Sequence, residues 1–265
     1  MSAAWTLEIG EVRLRLSGPA ARIRPFAAAW DTWSNPASGW NVELIEDPGL
    51  CVPQAPYFAA RPRFENGCCL LTTMGFQGEI HPAAGRAKLR LHPAANDGDV
   101  AYFIRTVFAL AAFEQQKLLF HAAGLVHHGQ VYALFGHSGS GKTTAARLSR
   151  GKPVLSDDLL LLAPGEDGVD VWATPFGRRR HPDLRVAPLH ALLQLIQAPE
   201  DRMTPVPQSE ALGTLVANSP VVNADAGHLP ALLEMWSQIL LKVSTHRLYF
   251  RKAQTFWEVI DAYLR

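Results

Sequence analysis

Residues 131–144 read VYALFGHSGSGKTT, and this stretch decides how the rest of the chain is interpreted. Gly136 to Thr143 fit the spacing G-x-x-x-x-G-K-[ST], between an apolar run typical of a strand and a run typical of a helix. Glycines let backbone N–H groups turn toward phosphate oxygens, the lysine reaches the β- and γ-phosphates, and the threonine hydroxyl binds magnesium. A plain glycine-rich turn would not explain why Lys142 and Thr143 occupy both required positions. The sequence therefore predicts a site for ATP or GTP and Mg²⁺ formed by Gly136, His137, Ser138, Gly139, Ser140, Gly141, Lys142, Thr143 and Thr144.

A pair of aspartates, Asp157 and Asp158, interrupts the strand-like apolar run of residues 154–162. Adjacent carboxylates in an apolar strand are costly unless they find partners, and a metal ion or a substrate hydroxyl would provide them. The structural alternative is a Ser-Asp-Asp turn between two strands. With the glycine-rich loop just upstream, we expect one aspartate to act as a catalytic base and the other to bind magnesium.

His121 is a candidate site residue because of the hairpin that we predict between residues 118 and 135. If His128 and Gly129 form a two-residue turn, His127 faces Gln130 and the count places His121 opposite Gly136. His121 would then lie beside the bound phosphates, where it would orient an aspartate or contact the transferred phosphoryl group. A lone strand histidine is otherwise more often structural.

The composition is that of a globular protein, with 265 residues of which 48% are hydrophobic and 18% charged. The 25 basic and 24 acidic residues give a net charge of +1, so we expect neither nucleic acid nor a membrane surface as a partner. The start of the chain lacks the basic and apolar segments of a signal peptide, and no apolar run is long enough to span a bilayer. We read Cys51, Cys68 and Cys69 as buried thiols in a reducing compartment, and we expect a cytoplasmic protein.

The elements outside this region suggest two domains. Short alternating runs predict a β-rich N-terminal region over residues 1–98, which we expect to dock substrate or form an interface. Residues 99–265 would form an α/β nucleotide-binding domain, which begins with a helix over residues 100–117. We expect the last hundred residues to be largely helical, with helices at 189–197 and 229–243, a strand at 245–250 and a final helix capped by Thr255 and Glu258.

Residues 118–162 resemble the catalytic domain of HPr kinase/phosphorylase, and more closely the smaller HPr-kinase-related proteins found beside peptide-modification genes. The resemblance rests on His121, Ser138, Lys142, Thr143, Asp157 and Asp158, and it continues more weakly through residues 173–177, ATPFG. It implies an α/β fold related to phosphoenolpyruvate carboxykinase, with a mixed sheet and a P-loop. It also implies phosphoryl transfer to a serine or threonine hydroxyl, with Asp157 as base and Asp158 as magnesium ligand, although the reverse assignment stays open. Related kinases are often oligomers, so a homo-oligomer is expected.

The acceptor is less constrained than the nucleotide. The basic C-terminal signature of the bifunctional enzymes is absent, which argues against HPr itself as the substrate. Arg178, Arg179 and Arg180 would clamp phosphate or grip an acidic peptide, or they form a solvated loop. A protein or peptide kinase is the first hypothesis; a kinase of a small hydroxylated metabolite and a non-catalytic, nucleotide-gated scaffold are the alternatives. H-R-D and D-F-G arrangements of eukaryotic protein kinases do not occur here.

Overall fold

The computed structural model describes residues 1–53, 60–178 and 180–264, and the chain divides into two compact units. The first unit comprises Met1–Gln115 and Ala224–Ala226, and the second comprises Gln116–Asn223 and Gly227–Arg265. The sequence expectation placed the boundary between residues 98 and 99. The helix Asp97–Glu114 belongs to the first unit instead, because its apolar face packs there; the ring of Phe103 lies against Gly78, where an added Cβ would clash.

The first unit is a mixed sheet accompanied by α-helices, in agreement with the β-rich character expected for this region. Its described elements are β1 Ser2–Ile9, β2 Val12–Pro19, α1 Ala20–Ala29, β3 Trp40–Glu46, β4 Arg63–Glu65, β5 Cys68–Thr72, β6 Phe76–His81, β7 Arg86–Leu91 and α2 Asp97–Glu114. Its described strands are ordered β1-β2-β3-β7-β6-β5-β4, and β2–β3 and β3–β7 are parallel. Gly10 and Glu11 form the turn between β1 and β2, and both have positive φ angles. Asn96 caps α2 through a reciprocal pair of hydrogen bonds with Asp99.

The second unit is built around a second mixed sheet. Its elements are β8 Leu118–His127, β9 Gln130–Phe135, α3 Lys142–Leu148, β10 Val154–Ser156, β11 Leu159–Pro164, β12 Val169–Trp172, β13 Val186–Gln197, β14 Arg202–Pro205, α4 Gln208–Ala217, α5 Leu229–Leu240, β15 Ser244–Phe250 and α6 Phe256–Tyr263. Strands β8, β9, β13, β12 and β11 pair in a closed cycle, and β15 and β14 extend the sheet from β13. The chain is thus mixed α/β, with a mixed sheet in each unit.

The expected helix at 189–197 is wrong, because these residues form most of strand β13. β13 is paired with β9 on one side and with β15 on the other, both parallel to it. A central strand that is covered on both faces reads as a continuous apolar run rather than an alternating one, which is why its pattern imitates a buried helix. With β14 and β15 also present, the last hundred residues are mixed rather than largely helical.

Two local expectations are also corrected. Thr255 precedes α6 but makes no side-chain cap; its hydroxyl donates to Asp201 instead, so the expected capping box with Glu258 does not form. The three cysteines are free, yet only Cys69 is buried, and burial raises the pKa of its thiol to about 12. Cys51 is exposed, so the expectation of three buried thiols is wrong.

One cluster of the core of the second unit packs against one face of its sheet. It joins residues from β8, β9, β13 and β15 to α3 and α6, including the fully buried Leu134, Leu193, Phe250 and Phe256. Burial of such side chains contributes roughly 1.5–3 kcal/mol each. Among the described residues, no helix is long and apolar enough to cross a membrane.

Candidate functional site

Strand register brings the candidate residues to one edge of the second sheet. The parallel strands β9, β13 and β15 place Phe135, Gln194 and Arg247 side by side, so the segments that follow all emerge at the same edge. Ligands in sheets of this kind bind beyond the carboxyl ends of parallel strands. A cavity of about 330 Å³ lies there, lined by His121, Ser138, Gly139, Gly141, Lys142, Thr143, Thr144, Asp157, Asp158, Gln197 and Lys252.

The segment from Gly136 to Gly141, which we call the glycine loop, connects β9 to α3. Gly139 and Gly141 have φ angles of +82° and +110°, which side chains with a Cβ rarely adopt. Gly141 also packs against the ring of Phe250, and a Cβ there would lie 2.6 Å from Cζ. Glycine is therefore favoured at residue 139 by the backbone angle, and at residue 141 by both the backbone angle and the contact with Phe250.

Lys142, the first residue of α3, folds back over the glycine loop. Its Nζ donates to the carbonyl oxygens of Gly136 (2.9 Å) and His137 (3.4 Å). Burial lowers the pKa of Lys142, and the negative charge of Asp158 opposes that shift in part. The ammonium group is thus held at the cavity with its charge only partly compensated, which favours an anionic ligand.

Asp157 is buried, with 5% of its surface exposed, in the break between β10 and β11. Its Oδ1 accepts a hydrogen bond of 2.8 Å from the backbone N–H of Arg178. Gly177 lies directly against the carboxylate, because a Cβ at this residue would come within 2.5 Å of Oδ1. The ATPFG segment is itself anchored, since the buried Thr174 hydroxyl donates to the carbonyl of Leu159 at 2.8 Å. This segment fixes one oxygen of Asp157 while the side chain still reaches the cavity.

Asp158 has the opposite environment from its neighbour. Its side chain is 41% exposed, and its Oδ1 lies 3.3 Å from Nε2 of His121. The predicted hairpin that places His121 here is confirmed, with pairs running from His127↔Gln130 to Ala122↔Phe135. His121 is one residue beyond the last of these pairs, and its backbone N–H donates to the carbonyl of Asn218 at 2.8 Å. The expected approach of His121 to an aspartate is therefore present.

Several predicted residues do not line the cavity. Gly136, His137 and Ser140 belong to the glycine loop but not to the cavity wall, and His137 is turned outward, with its Nδ1 2.7 Å from the carbonyl of Ser138. Arg178 contributes a backbone N–H rather than its guanidinium, and the side chain of Arg180 is not part of the wall. Arg179 lies outside the described residues.

Two lining residues were not identified from the sequence. Gln197 ends β13, and its Nε2 donates to the carbonyl of Gly139 at 2.8 Å. Lys252 is an exposed residue just after β15. The basic pair Arg251 and Lys252, which follows the expected strand at 245–250, was an available signal for Lys252, but Gln197 was hidden by the incorrect helix at 189–197.

The lining chemistry suits a phosphate ligand and a hard divalent cation. The hydroxyl of Thr143 and the carboxylates of Asp157 and Asp158 are oxygen donors on one cavity, which magnesium prefers. Lys142 lines the same cavity as Gly139 and Gly141 of the glycine loop, and its ammonium group would attract an anion. The volume of about 330 Å³ is within the range of small-ligand sites.

Comparisons with known proteins give little beyond this. No protein-family model matches the chain, and no curated protein matches it. Among solved structures it is similar to the Hpr(Ser) kinase/phosphatase from Coxiella burnetii, with 11% sequence identity and a TM-score of 0.31. That similarity covers 54% of this chain and 94% of that chain. A similarity at this level assigns neither a substrate nor an activity to this chain.

Proposed function

We propose that this chain is a magnesium-dependent kinase that transfers the γ-phosphoryl group of ATP or GTP to a serine or threonine hydroxyl of a protein or peptide. The observation that carries the proposal is the meeting of Lys142, Thr143 and the two aspartates on one cavity. These side chains come from separate segments of the chain, and phosphoryl transfer needs all of their functions together: charge neutralisation, a metal ligand and a base.

The glycine loop and Lys142 hold the phosphates of the nucleotide in this proposal. Lys142 would exchange its bonds to the Gly136 and His137 carbonyls for phosphate oxygens, which compensate its buried charge better. Thr143 and Asp158 would hold Mg²⁺, which neutralises negative charge on the phosphates. The electrostatic influence of Asp158 on Lys142 supports its place on the phosphate side.

Asp157 is proposed as the base that accepts the proton of the acceptor hydroxyl. The hydrogen bond from Arg178 and the contact with Gly177 hold the carboxylate in place at the cavity wall. A fixed base loses little entropy when the acceptor arrives. His121 then orients Asp158 through the contact between Nε2 and Oδ1. The acceptor class, a peptide serine or threonine, rests on the sequence resemblance.

Transfer of label from nucleotide to acceptor tests the proposal. Purified protein with Mg²⁺ and γ-labelled ATP or GTP would be incubated with peptides encoded beside its gene, with a serine/threonine peptide library and with small hydroxylated metabolites. We expect label on a peptide serine or threonine. Asp157→Asn should reduce transfer at least about 100-fold, because an amide cannot accept the proton, while nucleotide binding persists.

Asp170→Asn is the matched control, because Asp170 is an exposed carboxylate on β12 away from the cavity; it should transfer at the wild-type rate. Wild-type transfer by Asp157→Asn would refute the assignment of the base. Label on a metabolite alone would make the chain a small-molecule kinase. Nucleotide binding without transfer to any acceptor would favour the nucleotide-gated scaffold.

A further inference from the structure

The cavity has two chemically different sides, and strand register fixes their order across the sheet. Both β10 and β11 pair with β8, so Asp157 and Asp158 fall beside Ala122 and Ala123 of that strand. On the other side of β8 follow β9, β13 and β15. The glycine loop, which follows β9, therefore lies between the aspartates on one side and Gln197 and Lys252 on the other.

The loop that carries Lys252 is anchored by one buried carboxylate. The side chain of Asp201 is 7% exposed and accepts a 2.8 Å hydrogen bond from the backbone N–H of Arg251. Asp201 also accepts from the hydroxyl of Thr255 and forms an ion pair with the Arg251 guanidinium at 3.4 Å. Because these contacts bracket residue 252, the backbone of Lys252 is fixed although its side chain is in solvent.

Two contacts tie this side of the cavity to the glycine loop. Phe250, two residues before Lys252, packs its ring on Gly141. Gln197 donates to the carbonyl of Gly139, and the backbone N–H of Ala198 donates to the carbonyl of Phe250 at 3.1 Å. The backbone position of Lys252 relative to the glycine loop is therefore fixed by these contacts, although Lys252 lies on a surface segment.

The positions of the charged side chains determine the direction in which the phosphates of a nucleotide would lie in the cavity. Among the described residues that line the cavity, the basic side chains of the lysine and arginine type are those of Lys142 and Lys252. Both carboxylates are on the opposite side of the cavity from Lys252. Each phosphate carries negative charge that the carboxylates repel unless a metal ion intervenes. Only the phosphoryl group that reacts needs to be near the aspartates, so the rest of the chain of phosphates is more stable toward Lys252.

From this arrangement, and resting on the proposed kinase function, we infer that Lys252 binds the α- and β-phosphate end of the nucleotide. The γ-phosphoryl group lies over Asp157, Asp158 and His121, and the nucleoside leaves the cavity on the side of Gln197 and Lys252. The acceptor then enters on the aspartate side, where Gly177 and Arg178 form part of the surroundings of Asp157. Lys252 is thus a nucleotide-binding residue, and Asp201 and Gln197 are positioning residues.

Calorimetric titration with MgATP and with MgADP, without any acceptor, tests this orientation. Lys252→Gln should weaken both nucleotides by the same factor, roughly tenfold, because ATP and ADP share the phosphates that Lys252 contacts. Arg147→Gln removes an exposed cation of α3 that does not line the cavity, and it should leave both affinities within about twofold of wild type.

Each result decides the question. Weaker binding of ATP alone would place Lys252 at the γ-phosphate and overturn the orientation. Unchanged affinity for both nucleotides would overturn the assignment, and a raised KM for the acceptor in the same variant would then make Lys252 an acceptor contact. If the wild-type protein binds neither nucleotide, the proposed kinase function itself fails, which is distinct from a failure of Lys252→Gln. Because Lys252 is exposed, an unchanged melting temperature is expected for the variant.

Discussion

The glycine loop and the surroundings of Asp157 are two parts of one cavity that are built in different ways. The glycine loop is a single contiguous segment of the sequence, and its conformation follows from backbone freedom at residues such as Gly139. Asp157 is held in place by Gly177 and Arg178, which lie about 20 residues later in the chain, beyond β11 and β12. These contacts are therefore tertiary rather than local. A local motif can therefore be recognised from sequence, whereas the state of a carboxylate beside it depends on tertiary structure.

The largest expected effect comes from removing the charge that serves the glycine loop. Lys142→Ala should weaken nucleotide binding about 100-fold or more, because a charged hydrogen-bond donor to the phosphates is lost. Calorimetric titration with MgATP measures this, with Arg147→Gln as the charge-matched control. Affinity close to wild type in Lys142→Ala would mean that the glycine loop does not hold the phosphates.

The tertiary contact at Asp157 is broken by Gly177→Ala. The added Cβ would approach Oδ1 within 2.5 Å and displace the carboxylate. We expect transfer to fall roughly 30- to 100-fold while nucleotide affinity stays near wild type, since a displacement of about 1 Å at a reacting group has effects of this size. Gly165→Ala is the matched control, because no atom lies within 4 Å of its Cβ position. Equal transfer rates in the two variants would show that the position of Asp157 is not critical.

The local requirement of the glycine loop is tested by Gly139→Ala. A Cβ at residue 139 meets no atom within 4 Å, so only the φ angle of +82° opposes the change. We expect the free energy of unfolding to fall by about 1–2 kcal/mol, with weaker nucleotide binding if the loop relaxes to a different conformation. Chemical denaturation with and without MgATP separates the two effects. No loss of stability would indicate that the loop adopts another backbone conformation in solution.

The smallest expected effect is a dependence of nucleotide affinity on alkaline pH. Burial lowers the pKa of Lys142 below its ordinary value of 10.5, and bound phosphates would raise it again by stabilising the cation. Affinity should therefore decrease as pH rises through the lowered pKa of the free protein. The contribution of this group to folding has the opposite sign, since the unfolded chain binds its proton more tightly and stability gains as pH rises toward 10.5.

Titration of MgATP affinity between neutral and alkaline pH measures that dependence. Lys142→Arg provides the control, because a guanidinium stays protonated throughout, so the affinity of this variant should decline less than that of the wild type over the same range. An identical alkaline decline in both proteins would assign the effect to another group.

Much of the site was accessible from the sequence because its motifs are local. The hairpin register followed from the two-residue turn His128–Gly129, and it correctly brought His121 to the start of the glycine loop. The aspartate pair was identified because carboxylates in an apolar run need partners. Gln197 and Lys252 were missed because their proximity to the loop depends on β13 lying between β9 and β15 and parallel to both, a fact that short-range patterns do not contain.

The sequence by itself determined the glycine loop, Lys142, Thr143 and the pairing of β8 with β9, since these depend on backbone geometry and spacing within a few residues. Tertiary structure alone decided that residues 189–197 form a central strand, because burial on both faces removes the alternation that marks a strand. It also decided that two adjacent aspartates have different environments, one buried against Gly177 and one exposed beside His121. The physical reason is that burial and hydrogen bonding of a carboxylate are set by whichever distant segments pack against it.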